Sequence, residues 1–235
     1  KHEILDPDPA VGAISIKWTG LEATDEIGAV FKLLQAKNVD DAYTALQDFG
    51  VGAQNWMIGD TSGNVLWTSH ALVPTRDPKA FAWDAATYTG TLPCFVLPGD
   101  GAAECTGFLA DGLVPWVKNP AAGYVATANN DPIGDTLDND PSNDKLPDGT
   151  PMYLASQFDI GFREDRIHTR LEEKTALSLE DLAKLQADHH SPMGERTVTH
   201  LLASIERAEA ERKAPGAHPD LAAIVKDAAY DPARV

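Results

Sequence analysis

Two stretches of this chain hold residue types and spacings that could do chemistry. The first runs from Asn129 to Gly149, where Asp131, Asp135, Asp138, Asp140, Asp144 and Asp148 face the single cation Lys145, six negative charges less one positive giving −5. Carboxylates every two to four residues among turn formers suit a hard cation such as Ca²⁺, which takes about six to eight oxygens. Asp135, Asp138, Asp140 and Asp144 are the candidate ligands. No bidentate Glu closes an EF-hand loop, so the alternative is a solvated surface insertion; a bound Ca²⁺ here is structural, and no cofactor is required. The second stretch is Ala53-Gln54-Asn55-Trp56-Met57-Ile58-Gly59-Asp60-Thr61-Ser62-Gly63-Asn64-Val65-Leu66-Trp67. An Asn inside a strand-like run must find partners when buried or cost about 1–3 kcal/mol, so Asn55 is either a satisfied structural bridge or an aimed donor.

Other polar groups read as scaffolding. No GxSxG elbow or Cys-His arrangement is present, and Ser62 before Gly63 is turn chemistry. His189-His190 cannot easily share one ion, because adjacent helical side chains point about 100° apart; a cation at a helix C-terminus suits them better. Arg163, Arg166, His168 and Arg170 interleave with Glu164, Asp165, Glu172 and Glu173, the pattern of a solvated, ion-paired helix face.

Sheet and helix patterns that must position these residues divide the chain. Ile14, Ile16 and Trp18 alternate over a strand from Gly12 to Trp18. Ile27, Val30, Phe31 and Leu34 share one helical face, and a second helix over Val39–Asp48 starts at the cap Asn38 and stops at Gly50. Gln54–Gly59 and Val65–Thr68 form a hairpin around the turn 60–64, with further short strands from Leu92 to Thr127. Helices follow over Ile160–Leu171, Ser178–His189 and Gly194–Lys213, with a last one from Asp220; Ser178-x-x-Asp181 has the form of a capping box. The expected division is a strand-rich region 1–156, holding the acidic loop 129–149, and a helical region 157–235.

The net charge of −17 over 235 residues, with 43% hydrophobic positions, fits a core-forming acidic chain. Such a charge repels phosphate backbones and anionic headgroups, which argues against nucleic-acid or membrane-surface binding. No run reaches the roughly 18 apolar residues of a membrane span, and the opening Lys1-His2-Glu3-Ile4-Leu5-Asp6 does not read as a signal peptide. Cys94 and Cys105 flank the turn Pro98-Gly99-Asp100-Gly101, which lays the two thiols near each other across a hairpin. Whether they are bridged stays open and depends on the compartment.

The order of these motifs resembles the penicillin acylase (penicillin amidase) family of N-terminal-nucleophile hydrolases. Gln54-Asn55-Trp56 with Asp60-x-x-Gly63-Asn64 carries the resemblance. It is joined by Ile14-Ser15-Ile16-Lys17-Trp18-Thr19, Arg76 in Val73-Pro74-Thr75-Arg76, and Pro98-Gly99-x-Gly101 followed by Thr106-Gly107-Phe108, with Cys105 in place of the family's tryptophan. The last motif is Asn119-Pro120-x-x-Gly123-Tyr124-x-x-Thr127-Ala128-Asn129-Asn130, and Lys1-His2 is similar to the end of an Arg-His-Gly strand.

The resemblance implies an α+β chain, part of an αββα sandwich, with antiparallel strands in the first half and helices in the second. It implies catalytic roles for Asn55, as side-chain donor of an oxyanion hole, and for Arg76, as organiser of the nucleophile's surroundings and of Asn55 through charge-assisted hydrogen bonds. The reaction is cleavage of a linear amide in a small acylated substrate: a penicillin, an acyl-homoserine lactone or a lipopeptide. The family's nucleophile is an N-terminal Ser whose own α-amine is the base. No such residue lies in this chain, so the expectation is an interior piece of the catalytic β subunit, inactive alone, partnered by the α chain and the N-terminal part of the β chain, and periplasmic or secreted. The competing expectation is a non-catalytic, calcium-stabilised module that keeps the acylase scaffold.

Overall fold

The first pairing in the chain joins β1 (Glu3–Ile4) to β2 (Ser15–Ile16), antiparallel, with Glu3 opposite Ile16. Of the expected Gly12–Trp18 strand, Ser15–Ile16 forms the regular strand, with Gly12 in an isolated bridge. The computed structural model describes residues 3–4, 12–214, 216 and 218–224; Lys1 and His2 lie outside the described residues. Two units form, Lys1–Asp159 and Ile160–Val235. Mixed helix and antiparallel sheet make this an α+β chain, and among the described residues no helix is long and apolar enough to cross a membrane.

Helix α1 (Glu26–Gln35) is capped by Asp25, whose side chain accepts from the Gly28 N–H, and α2 (Val39–Leu46) by Asn38, which accepts from Asp40 and Asp41. These caps satisfy N–H groups that the first turn leaves without helical partners. α2 buries Val39, Ala42, Ala45 and Leu46, whereas α1 buries only Ala29. The apolar face of α1 points to solvent, with Ile27 74%, Phe31 61% and Leu34 76% exposed.

β3 (Trp56–Gly59) and β4 (Val65–Thr68) form the expected hairpin, with Gly59 opposite Val65 and Met57 opposite Trp67. Its turn is built on Asp60, whose Oδ1 accepts from the N–H groups of Ser62 at 2.9 Å and Asn64 at 3.0 Å. The Asn64 amide donates to both carboxylate oxygens and holds the Asp60 carboxyl below its usual range. Gly63 takes φ +83°, a left-handed conformation that costs glycine nothing. β4 is the middle strand, bordered on its other side by a later strand over Trp116–Lys118. Leu66 and Thr68 are fully buried, and the Thr68 hydroxyl donates to the Pro115 carbonyl at 3.2 Å.

Downstream, β5 (Pro74–Arg76), the short pair β6 (Trp83–Asp84) and β7 (Thr89–Gly90), β8 (Cys105–Phe108) and β9 (Trp116–Lys118) complete the sheets. β8 pairs with β5 rather than with the segment around Cys94. Cys94 and Cys105 are therefore not opposed across a hairpin, and both are free thiols. The Pro98–Gly101 turn led to the expected hairpin, but its preceding segment forms no strand. At the end of β9, Asn119 adopts φ +48°, which Asn tolerates, and clamps the first hairpin. Its Oδ1 accepts from the Val65 N–H and its Nδ2 donates to Asn64 Oδ1, both at 2.9 Å.

The second unit is helical: α3 (Phe162–Glu172), α4 (Leu179–Gln186), α5 (Pro192–Lys213) and α6 (Pro219–Ile224). Ser178 and Asp181 make the anticipated capping box. Arg166 and Arg170 share Asp188 at 2.7 and 3.4 Å, and His168 pairs with Glu164. His189 caps the end of α4 through the Ala187 carbonyl, but His190 pairs instead with Glu195 at 3.0 Å.

Removing the Asn119 side chain deletes both clamp bonds at once. Asn119→Ala should lower the stability of the chain by about 1 kcal/mol, read as a lower urea midpoint at unchanged slope.

Candidate functional site

Asn55 immediately precedes β3, on the same strand face as Met57 by the two-residue alternation of side chains. Met57 lies opposite Trp67, so Asn55 is Trp67's diagonal neighbour across the hairpin. The contact is made: the Trp67 indole N–H donates to Asn55 Oδ1 at 3.0 Å. Trp67 is 8% exposed, so its donor is largely withdrawn from water, whereas Asn55 is exposed. The Asn55 amide nitrogen donates to no other described residue. This carboxamide is thus a structural bridge through its oxygen and a free donor through its nitrogen. The second residue of the bridge, Trp67, is absent from the sequence expectation, although the five-residue turn and strand alternation together point to it.

Arg76 ends β5 at a bulge, where it pairs with Cys105 after Thr75 has paired with Gly107. A bulge turns the affected side chain away from regular alternation. The Arg76 guanidinium lies over the Tyr153 ring at 5.2 Å and donates to the Pro74 carbonyl at 3.0 Å. Tyr153 is itself stacked edge-to-face on Phe81, and burial pushes its hydroxyl up from the ordinary value. No hydrogen bond joins Arg76 to Asn55 among the described residues. The direct charge-assisted link expected between them is replaced by the indole contact on one side and the tyrosine ring on the other. Arg76 also borders a cavity of about 430 Å³ whose wall includes Ile14, Cys94, Phe95, Val96 and Cys105. The same wall carries Lys17 and Glu104 beside Arg76, so the hollow is lined by charged as well as apolar side chains.

The acidic loop is organised by its own backbone. Asp138 accepts from the Asp140 N–H and the Asn143 amide, and Asp140 from the Ser142 N–H and hydroxyl. Asp131 gathers the N–H groups of Ile133, Gly134 and Thr136. Among the described residues no group of three or more His, Cys, Asp or Glu side chains converges as a metal site. Asp138 and Asp140 are spent on turns, and Asp135 and Asp144 meet apart from them. Asp135 is 2% exposed, and neither carboxylate oxygen has a hydrogen-bond partner. Burial, and after it the facing Asp144, push the Asp135 carboxyl up to about 7. His70, fully buried, is a polar group that the sequence expectation did not include. Its Nδ1 meets the Phe49 carbonyl at 3.0 Å and its Nε2 meets Asp111 at 3.2 Å, so it fastens the chain just after β4.

Antiparallel strands and helices make this an α+β chain, and its fold matches that of an N-terminal-nucleophile hydrolase neighbour. It belongs to the penicillin amidase family, whose sequence profile matches residues 4–227. The family is one of hydrolases that act on amides. Penicillin acylase 2 proenzyme of Pseudomonas sp. (strain SE83) is 27% identical over 192 residues, covering 80% of this chain and 22% of the relative. The fold is similar to that of a thermostable penicillin G acylase from Alcaligenes faecalis, with a TM-score of 0.55 at 20% identity over 91% of this chain and 34% of that one. The chain therefore spans well under half of either protein.

The buried acid supplies a pH test. The fold favours protonated Asp135, so its stabilisation is complete below the ordinary value of 3.8 and is lost as pH rises towards about 7. Asp135→Asn, which keeps the shape and stays neutral, should flatten that decline and raise the melting temperature at pH 8 relative to the parent chain.

Proposed function

We propose that this chain carries part of the catalytic centre of an amidohydrolase that cleaves the linear amide of a small acylated substrate, with Asn55 as an oxyanion-hole donor. The nucleophile is an N-terminal Ser supplied by sequence outside these residues, and the chain alone is inactive. The remainder of the acylase, comprising its α chain and the N-terminal part of the β chain, is the partner, and the assembled enzyme is periplasmic or secreted. The observation that carries the reading is the half-satisfied carboxamide of Asn55, its oxygen fixed by Trp67 and its nitrogen presented to solvent.

In the reaction, attack on the amide carbonyl moves a negative charge onto its oxygen. A neutral N–H that is already aimed stabilises this charge without reorganising. Asn55 supplies that donor. Arg76, held over Tyr153, supplies a fixed positive charge at the cavity rim. Penicillin-type amides are the first substrates to test, because the matched relatives are named as penicillin acylases.

Two substitutions separate the amide's roles in the full-length protein. Asn55→Ala removes both ends of the amide and should lower turnover of penicillin G about 10²–10³-fold with a nearly unchanged KM. Asn55→Asp keeps an acceptor for Trp67 but puts an anion where the donor was, and should be at least as inactive while melting like the parent. Near-normal turnover in either variant sinks the assignment.

One observation favours a second reading, a calcium-stabilised module without catalysis: the buried carboxylate of Asp135 faces the exposed Asp144, two negative groups side by side. It requires a melting temperature that rises with millimolar Ca²⁺ at pH 8, loss of that rise in Asp135→Asn with Asp144→Asn, and no amidase in the full-length protein. Amidase activity with no response to Ca²⁺ is the expected result.

A further inference from the structure

Cys94 and Cys105 do not face each other across a hairpin, yet both line the same hollow of about 430 Å³. A short run of contacts also connects them. Cys105 stands opposite Arg76 in the pairing of β5 with β8, Arg76 lies over the Tyr153 ring at 5.2 Å, and the Cys94 thiol meets the Tyr153 hydroxyl. We propose that the two thiols form a redox-active pair, a site for small-molecule disulfides whose reaction ends in a Cys94–Cys105 bond across the hollow.

Cys94 is exposed and Cys105 half-buried, so Cys94 is the first to meet a disulfide arriving from solvent. Its thiolate attacks one sulfur of the reagent, giving a mixed disulfide and one released thiolate. The Cys105 thiolate then attacks the Cys94 sulfur, and the second half of the reagent leaves as a thiolate. The protein gives up two electrons, the reagent is reduced to two thiols, and the protons lost by the two cysteines end on those thiols. Lys17 and Arg76 outnumber Glu104 on the same wall, which suits an anionic reagent such as oxidised glutathione. The backbone differs at the two positions in a way that permits closure. Cys105 is held in β8, where the neighbouring Glu104 carbonyl accepts from the Asp77 N–H at 3.0 Å. Cys94 lies between β7 and β8 in a segment of turns without strand or helix. No regular pairing therefore has to break for it to approach the Cα separation of roughly 4.4–6.8 Å that a disulfide needs.

The test treats the full-length protein, folded, with oxidised glutathione, blocks the remaining thiols with N-ethylmaleimide, and digests without reductant using a protease that cuts after Glu104, between the two cysteines. Mass spectrometry should find a peptide pair joined from Cys94 to Cys105, lighter than the reduced pair by two hydrogens and separated again by dithiothreitol. Cys105→Ser removes the second thiol, and its Cys94 should instead keep one glutathione. A bridge that fits the native fold is stabilised by folding, so it should form at least about tenfold more readily in the folded protein than in urea. By the same linkage, oxidation should raise the urea midpoint of the parent and leave that of Cys94→Ser unchanged. Glutathione that stays on Cys94 of the parent with Cys105 still free, two unreacted thiols, or a bridged form with a lower urea midpoint overturns the proposal.

Discussion

Registration of β3 against β4 is the constraint on which the first unit depends. Side chains alternate along a strand, so a slip by one residue would turn Leu66 outward and carry Trp67 away from the face that bears Asn55. The turn prevents the slip chemically. Asp60 holds the loop by accepting from Ser62 and Asn64, and Asn119 reaches across from the end of β9 to bind both Asn64 and Val65. Several of the residues that carry the family resemblance are accounted for here as fasteners of one hairpin. Asp60 also receives the Val39 N–H at the start of α2, which ties the turn to the helix that covers the sheet.

Polar groups in this chain divide according to whether the local backbone satisfies them. Most of the acidic loop does so at short range, with each Asp accepting from N–H groups two to five residues ahead, the turn geometry in which Asp excels. Asp135 is the exception, deep enough to lose water and matched with another carboxylate. Burying such a group costs free energy unless a proton neutralises it.

What could be read from the sequence follows the range of the interactions involved. The caps at Asn38 and Ser178, the hairpin around Asp60 and the helices of the second unit are local, and their residues announce them. Pairing of β5 with β8 joins segments about thirty residues apart, and nothing between Arg76 and Cys105 specifies it; the adjacent turn at Pro98–Gly101 pointed instead to a hairpin that is not formed. The candidate site shows the same split. Asn55 stood out as an amide within a strand-like run, but its partner emerged only when the hairpin register placed Trp67 diagonally opposite. Arg76 was identified by family likeness, whereas the Tyr153 ring that supports it lies too far along the chain to be inferred. The calcium set was drawn from spacing alone, which cannot reveal that Asp138 and Asp140 already serve their own turns.

Helix α1 presents Ile27, Phe31 and Leu34 to water along one side while the chain as a whole carries a charge of −17. The two features act on encounters between molecules with opposite sign and different reach. Charge repulsion extends about 10 Å in 0.1 M salt and shrinks to about 3 Å at 1 M. The attraction of the bare stripe is a contact effect that salting-out ions strengthen. Raising the ionic strength therefore weakens the repulsion and strengthens the contact attraction together, shifting the balance towards burial of the α1 stripe.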